Sequence, residues 1–217
     1  MLIDAARLHE TLQTLVLFRS NALIMSLPDS QTLRRALERY PQVVQLQGVD
    51  RLTELDRWLH EELPGRVLDR KPSYLTHADL VRLTEWKMAR GVWRARNLVL
   101  VRSNDPATVE EISREALARV PHPTAPVSKL ATLRGVGPAT ASAAVAAAAP
   151  EIYPFFDELV ARQIPGLGQV AWTMSYYARY AETLRVAAGE LGGDWTPSRL
   201  ERALWAHVGG KAGISAG

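Results

Sequence analysis

Apolar residues recur at three- and four-residue intervals along almost the whole chain, which commits it to helices rather than to sheets. Leu8, Leu12, Leu15 and Val16 follow this spacing, as do Leu33, Leu37 and Tyr40, and then Leu52, Leu55, Leu59 and Leu63. Start signals sit where helices need them. Thr76 with Asp79 reads as a capping box, and Asp105-Pro106 and Thr196-Pro197 each place a cap residue before a proline at the first helical position. Only residues 42–46, with Val43 and Val44, have strand character, and they are too few to found a sheet. The expected fold class is all-α.

Proline and glycine clusters at 63–66, 120–126 and 164–168 are expected to be connections. They divide the chain into an N-terminal helical region (1–73), a middle block (74–163) and C-terminal helices (164–217). The small residues of 209–217 are expected to fray.

Composition removes several function classes. With 217 residues, 47% of them hydrophobic and 23% charged, the chain can bury a core and is neither disordered nor fibrous. The most apolar stretch, the alanine run of 139–149, is far shorter than the roughly 20 residues of a bilayer span, so no membrane partner is expected. The N-terminus lacks the basic region of a secretory signal, and a cytoplasmic location is expected. The absence of cysteine excludes disulfides, thiol nucleophiles and iron–sulfur clusters. His9, His60, His77, His122 and His207 show no metal-ligand spacing, so no metal site is assigned. A net charge of +3 favours a polyanionic partner only mildly. Its distribution says more: Lys87, Arg90, Arg94, Arg96 and Arg102 fall in sixteen residues that contain no acid.

The most informative segment is Leu133-Arg134-Gly135-Val136-Gly137-Pro138-Ala139-Thr140-Ala141, between two helical stretches. Two glycines around one apolar residue allow a tight hairpin with positive φ angles, and Val136 plugs the space between the helices. The amides left facing solvent, with the positive end of the helix beginning near Pro138, suit a phosphate oxygen, and Thr140 can cap that helix start. The segment resembles the helix-hairpin-helix motif, Leu-Pro-Gly-hydrophobic-Gly-x-x-Thr-Ala, departing from it only where Arg134 replaces proline. The resemblance implies double-stranded DNA as partner, held through Arg134, Gly135, Val136, Gly137 and Thr140. Helicases, polymerases and ligases carry the same hairpin as a grip, so the motif alone does not imply an enzyme.

Twenty residues beyond Gly137 lies Asp157, within Tyr153-Pro154-Phe155-Phe156-Asp157-Glu158-Leu159-Val160-Ala161-Arg162. This stretch, with Arg162 in register, resembles the apolar-Asp-x-x-x-x-Arg segment of helix-hairpin-helix DNA glycosylases. The resemblance implies two helical lobes with a cleft between them, and Asp157 as the catalytic carboxylate that stabilises an oxocarbenium-like sugar or orients water. A helix cap is the other role open to Asp157, and one residue can serve both. Bifunctional members carry a lysine where this chain has Ala139, and no lysine lies between Leu130 and Lys211. A monofunctional enzyme that leaves an abasic site is therefore expected, acting as a monomer on alkylated bases or on hypermodified cytosine such as phage glucosylated hydroxymethylcytosine. No cofactor is expected beyond a monovalent cation of the kind such a hairpin can hold. A noncatalytic DNA-binding module is the alternative.

A base must be flipped and held by stacking. Trp86, Arg90 and Trp93 are expected to share a helix face with Lys87 and Arg94 beside them, and Tyr153, Phe155 and Phe156 precede Asp157; these are the candidates for base pocket or DNA contact. Tyr176, Tyr177 and Tyr180, with Trp172 before them, are expected to be core.

Overall fold

A computed structural model describes residues 27–214, and the periodic run at Leu8–Val16 lies outside them. Asp29 opens the first described helix, α1 (Ser30–Leu46), by accepting from Thr32 N at 2.9 Å. The helix continues through Pro41 and takes Val43 and Val44 with it, so the strand character of 42–46 is overridden. Tertiary packing decides this. Leu33, Ala36, Tyr40, Val43 and Val44 are buried, and α1 packs most extensively against the last helix.

Leu52–Arg57 (α2), a π-helical turn at Trp58–Glu62 and Leu63–Asp69 (α3) run into one another. Residues 63–66 are thus helical rather than a connection, because Pro64 sits in the first turn of α3, where its missing N–H costs nothing. Leu52, Leu55, Leu59 and Leu63 are all buried, as their spacing requires. The capping box forms as expected: Thr76 Oγ1 accepts from Asp79 N at 3.1 Å, and Asp79 Oδ2 accepts from Thr76 N at 3.0 Å. It starts α4 (His77–Arg90).

Ala95–Arg102 (α5) and Pro106–Leu117 (α6) follow, the latter capped by Asp105. Next come Ala125–Leu130 (α7), Pro138–Ala148 (α8), the single turn Glu158–Ala161 (α9), Met174–Leu191 (α10) and Pro197–His207 (α11), capped by Thr196. No strand occurs among the described residues, so the fold is all-α. None of these helices is long and apolar enough to cross a membrane.

Alanines let α8 sink into the core, where nine of its eleven residues are buried. The pairing of α1 with α11 joins the two ends of the described chain. Contrary to the expected fraying, the segment after α11 is docked as far as Ile214. Gln47 donates to Gly209 O at 3.0 Å and accepts from Ala212 N at 2.9 Å, while Lys211 Nζ donates to Gly91 O at 2.8 Å.

The core carries a polar thread. Asp56 Oδ1 accepts from Tyr40 Oη at 2.7 Å and from Trp86 Nε1 at 2.8 Å, and His60 Nε2 stands 3.7 Å away. Burial depresses the His60 pKa to about 4 against the pull of Asp56. The unfolded chain then binds a proton below pH about 6.5 that the folded chain refuses until about 4, so stability is lost as the pH falls through that window. We expect up to about 3 kcal/mol of acid destabilisation from this residue. Urea midpoints at pH 7 and pH 4.5 check it: His60→Gln should flatten the difference, and an unchanged difference would contradict the assignment.

Candidate active site

The hairpin is built as a clamp between α7 and α8. Gly135 has φ +75°, and a Cβ there would stand 2.6 Å from Asn97 O on α5. Gly137 differs from expectation: its φ is −99° with ψ 179°, an extended cap before Pro138, and a Cβ would meet nothing within 4 Å. Only the first glycine therefore needs a left-handed backbone. Val136 plugs the turn at 6% exposure. Thr140 is buried in the first turn of α8 and does not cap it; Gly137 occupies that position, with no side-chain cap. The amides of Gly135, Gly137, Ala139 and Thr140 have no acceptor among the described residues. Arg134, in place of proline, is exposed, and its backbone is gripped from both sides by Asn104, which accepts from Arg134 N and donates to Arg134 O, each at 2.9 Å. Read in sequence, Asn104 is only the residue before a cap; its role needs the contact with 134.

The two glycines should therefore separate under mutation. Gly135→Ala is expected to destabilise the fold by about 1–3 kcal/mol through backbone strain and overlap with α5. Gly137→Ala should leave the melting temperature unchanged, because its backbone is extended and the added Cβ enters open space. Equal melting losses in the two variants would contradict this division.

One hydrogen bond ties α8 to the aspartate. Ser142 lies about 8 Å along the helix axis from Gly137; it accepts from Phe156 N at 2.9 Å and donates to Ala139 O at 2.9 Å. The Tyr180 hydroxyl holds the same loop by donating to Phe155 O at 2.7 Å. Asp157 follows with extended backbone as the cap of α9: Oδ1 accepts from Leu159 N at 2.7 Å and from Val160 N at 3.4 Å. Oδ2 stands 3.5 Å from Arg90 Nε.

Asp157 lines a cleft of about 240 Å³. The end of α4 supplies Lys87 and Arg90, the turn after it Val92 and Arg94, the loop before α9 Phe155 and Phe156, the loop after α9 Trp172, and the docked C-terminal segment Lys211. A larger hollow of about 630 Å³ lies elsewhere, but its charges are paired among themselves, Arg51 and Arg102 with Glu85 and Arg82 with Glu54.

Gly91 ends α4, so Trp86 and Trp93 do not share a helix face. Trp86 is wholly buried, with its indole N–H held by Asp56, and cannot meet a base. Trp93 is 57% exposed and is absent from the cleft lining. Tyr153 is also core, its hydroxyl donating to His122 O at 2.8 Å. Trp172, expected to be core, is instead 45% exposed at the cleft and packs on Phe156 with ring centroids 4.9 Å apart. Tyr176, Tyr177 and Tyr180 are buried as expected.

The basic stretch divides as well. Arg94 and Arg96 are exposed, Arg102 pairs with Glu85, and Arg90 is wholly internal. Its guanidinium bonds Glu201 of α11, lies 4.5 Å from the Trp205 ring, and is flanked by Tyr40, Trp86 and Phe155. Burial pushes the Glu201 carboxyl up, to about 8, with Asp157 adding to the rise and Arg90 opposing it. Burial likewise lowers the Lys87 pKa, helped by Arg94 and opposed by Asp157. Lys87, remote from the aspartate in sequence, shares its cleft.

No group of His, Asp and Glu among the described residues is arranged to hold a metal ion. The arrangement joins a carboxylate, an exposed indole and several cations in one cleft, linked through α8 to a turn with free amides. No family model, curated protein or solved structure matches this chain.

Proposed function

We propose that the chain is a DNA glycosylase of the helix-hairpin-helix kind, hydrolysing the bond between deoxyribose and a damaged or modified base and leaving an abasic site. One observation carries this reading. Asp157 spends one oxygen on the α9 cap and keeps the other beside Arg90, in the lining of a cleft of about 240 Å³. The cap fixes the carboxylate without consuming it.

In this reading the α1–α11 pair belongs to one lobe and the hairpin helices to the other, with the cleft between them. The free amides of the hairpin hold a phosphate of double-stranded DNA, and exposed Arg134 and Arg94 add screened attraction to the backbone. A flipped base stacks on Trp172, a contact worth roughly 1–3 kcal/mol per base in nucleic-acid complexes. As the glycosidic bond lengthens, positive charge gathers on the sugar, and Asp157 Oδ2 stabilises it or orients the attacking water. Alkylated bases and hypermodified cytosines are the candidate substrates.

The test incubates purified protein with duplexes carrying such bases and measures abasic sites. Release of one base class supports the reading. A second reading, a noncatalytic DNA clamp, is favoured by the pairing of Asp157 with both its cap amides and Arg90, which gives it a structural task. Tight duplex binding with no base released from any duplex would select that reading.

A further inference from the structure

We propose that the glycine turn Ile164-Pro165-Gly166-Leu167-Gly168, between α9 and α10, is a second anion site, which grips a phosphate of the DNA backbone beside the cleft and is separate from the hairpin at 133–137. The proposal rests on the chain's binding of duplex DNA and not on the chemistry at Asp157.

The turn repeats the hairpin further along the chain, with Ile164 in the place of Leu133, and it carries the proline that Arg134 replaces. The hydrogen-bond frame leading into each turn is the same. Ala131 N, Thr132 N and Leu133 N donate to Val127 O, Lys129 O and Leu130 O, and Arg162 N, Gln163 N and Ile164 N donate to Glu158 O, Val160 O and Ala161 O. The apolar residues of each turn are buried, Leu133 and Val136 in the first, Ile164 and Leu167 in the second. What lies over the glycines differs. Gly135 is pinned beneath α5, whereas a Cβ at Gly166 or at Gly168 would meet nothing within 4 Å. Packing therefore does not account for the glycines of the second turn. A helix end does not either, since residues 169–173 intervene before α10.

Backbone geometry gives them a task. Pro165 is held at negative φ by its ring, Gly166 has φ +78°, Leu167 returns to negative φ, and Gly168 has φ +73°. Alternation of this kind turns successive N–H groups toward one concave side, an arrangement that binds anions. The amides of Gly166, Leu167, Gly168 and Gln169 have no acceptor among the described residues. Their positions are set in advance: Ile164 and Leu167 anchor the turn in the core, and Tyr176 Oη donates to Gly168 O at 3.4 Å. Arg179 lies over the ring of that tyrosine at 5.4 Å, is exposed, and makes no ion pair among the described residues. Converging amides beside an unpaired guanidinium suit a phosphate oxygen. Arg162 and Trp172, before and after the turn, both line the cleft, so the phosphate belongs to a strand that passes Asp157.

The test measures the affinity of undamaged duplexes, either plain or with a methylphosphonate that removes the charge of one phosphate, placed at each position in turn. Gln169 is exposed and makes no hydrogen bond among the described residues, so Gln169→Glu should set a carboxylate at the rim of the amides with melting unchanged. It should weaken the plain duplex about fivefold, the effect of a like charge a few ångströms from a phosphate. That loss should disappear when one particular phosphate is neutralised and persist at the others. Gly168→Ala, which cannot hold φ +73° without strain, should make binding insensitive to neutralisation of the same phosphate. Wild-type affinity in Gln169→Glu, or a loss that is equal at every methylphosphonate position, overturns the proposal. Inorganic phosphate, with ionic strength held constant by chloride, should displace the duplex only at millimolar concentrations; displacement at micromolar concentrations would assign the turn to free phosphate and overturn its assignment to DNA. Because no base is cleaved, the two readings fail separately. Coupling to one phosphate with no base released from any duplex sinks the glycosylase reading alone, and base release without that coupling sinks this proposal alone.

Discussion

Asp157→Asn is expected to lower base release by about 10²–10³-fold, the usual cost of removing one preorganised charge from a developing transition state. Asparagine retains a side-chain oxygen for Leu159 N and Val160 N, and it is as good a cap as aspartate, so the fold should lose no more than about 1 kcal/mol. Duplex affinity should hold or rise, since one negative charge leaves the cleft. That combination separates chemistry from folding. Retained release at the wild-type rate, with melting unchanged, would show that the carboxylate is only a cap, and the clamp reading would take over.

The largest effect on stability is expected at Glu201. Glu201→Leu leaves the Arg90 guanidinium in a wholly buried site with Asp157 as its nearest carboxylate, no closer than 3.5 Å. Breaking a buried pair by removing one partner costs about 3–5 kcal/mol, or a fall of roughly 10 °C in melting temperature for a chain of this size. Glu201→Gln, which still accepts from the guanidinium, should lose much less. Replacing both groups, as Glu201→Leu with Arg90→Met, should recover most of the loss by removing the unpaired charge. A Glu201→Leu protein that melts within a degree or two of the wild type would mean that the pair is not desolvated. The double variant should also fall short in base release, because Arg90 is the cation that positions Asp157 Oδ2.

What could be read from the sequence depended on distance along the chain. The capping box of Thr76 and Asp79, the caps at Asp105 and Thr196, the leucines of α2 and α3 and the glycine turn at 135–137 are local arrangements whose chemistry lies within a few residues. The all-α class follows from the same short-range signals. The strand character of Val43 and Val44 carries no weight because β-branching is a weak preference, and α1 buries both residues while packing against α11. The helix face proposed for Trp86 and Trp93 failed at Gly91, which ends α4 between them.

The cleft itself was only half legible. Asp157, Phe155 and Phe156 are contiguous, and a count from the hairpin reaches them. Lys87, Trp172 and Lys211 come from three separate segments, and no spacing rule brings them together. Arg90 looked like one more member of a basic stripe until a carboxylate 111 positions away claimed it. Asn104 was hidden in the same way, since its grip on Arg134 spans thirty positions. In each case the missing information was a partner, not a residue type.

Lys211 and the chain around it have a practical bearing. One wall of the cleft is contributed by a segment that follows the final helix and is pinned by Gln47 and by a single ammonium-to-carbonyl link to the end of α4. A proteolytic cut anywhere between Val208 and Lys211 would strip that wall while sparing every helix. Trimmed preparations would lack Lys211 and the part of the cleft lining it provides, so the mass of the purified chain should be checked before any assay is interpreted.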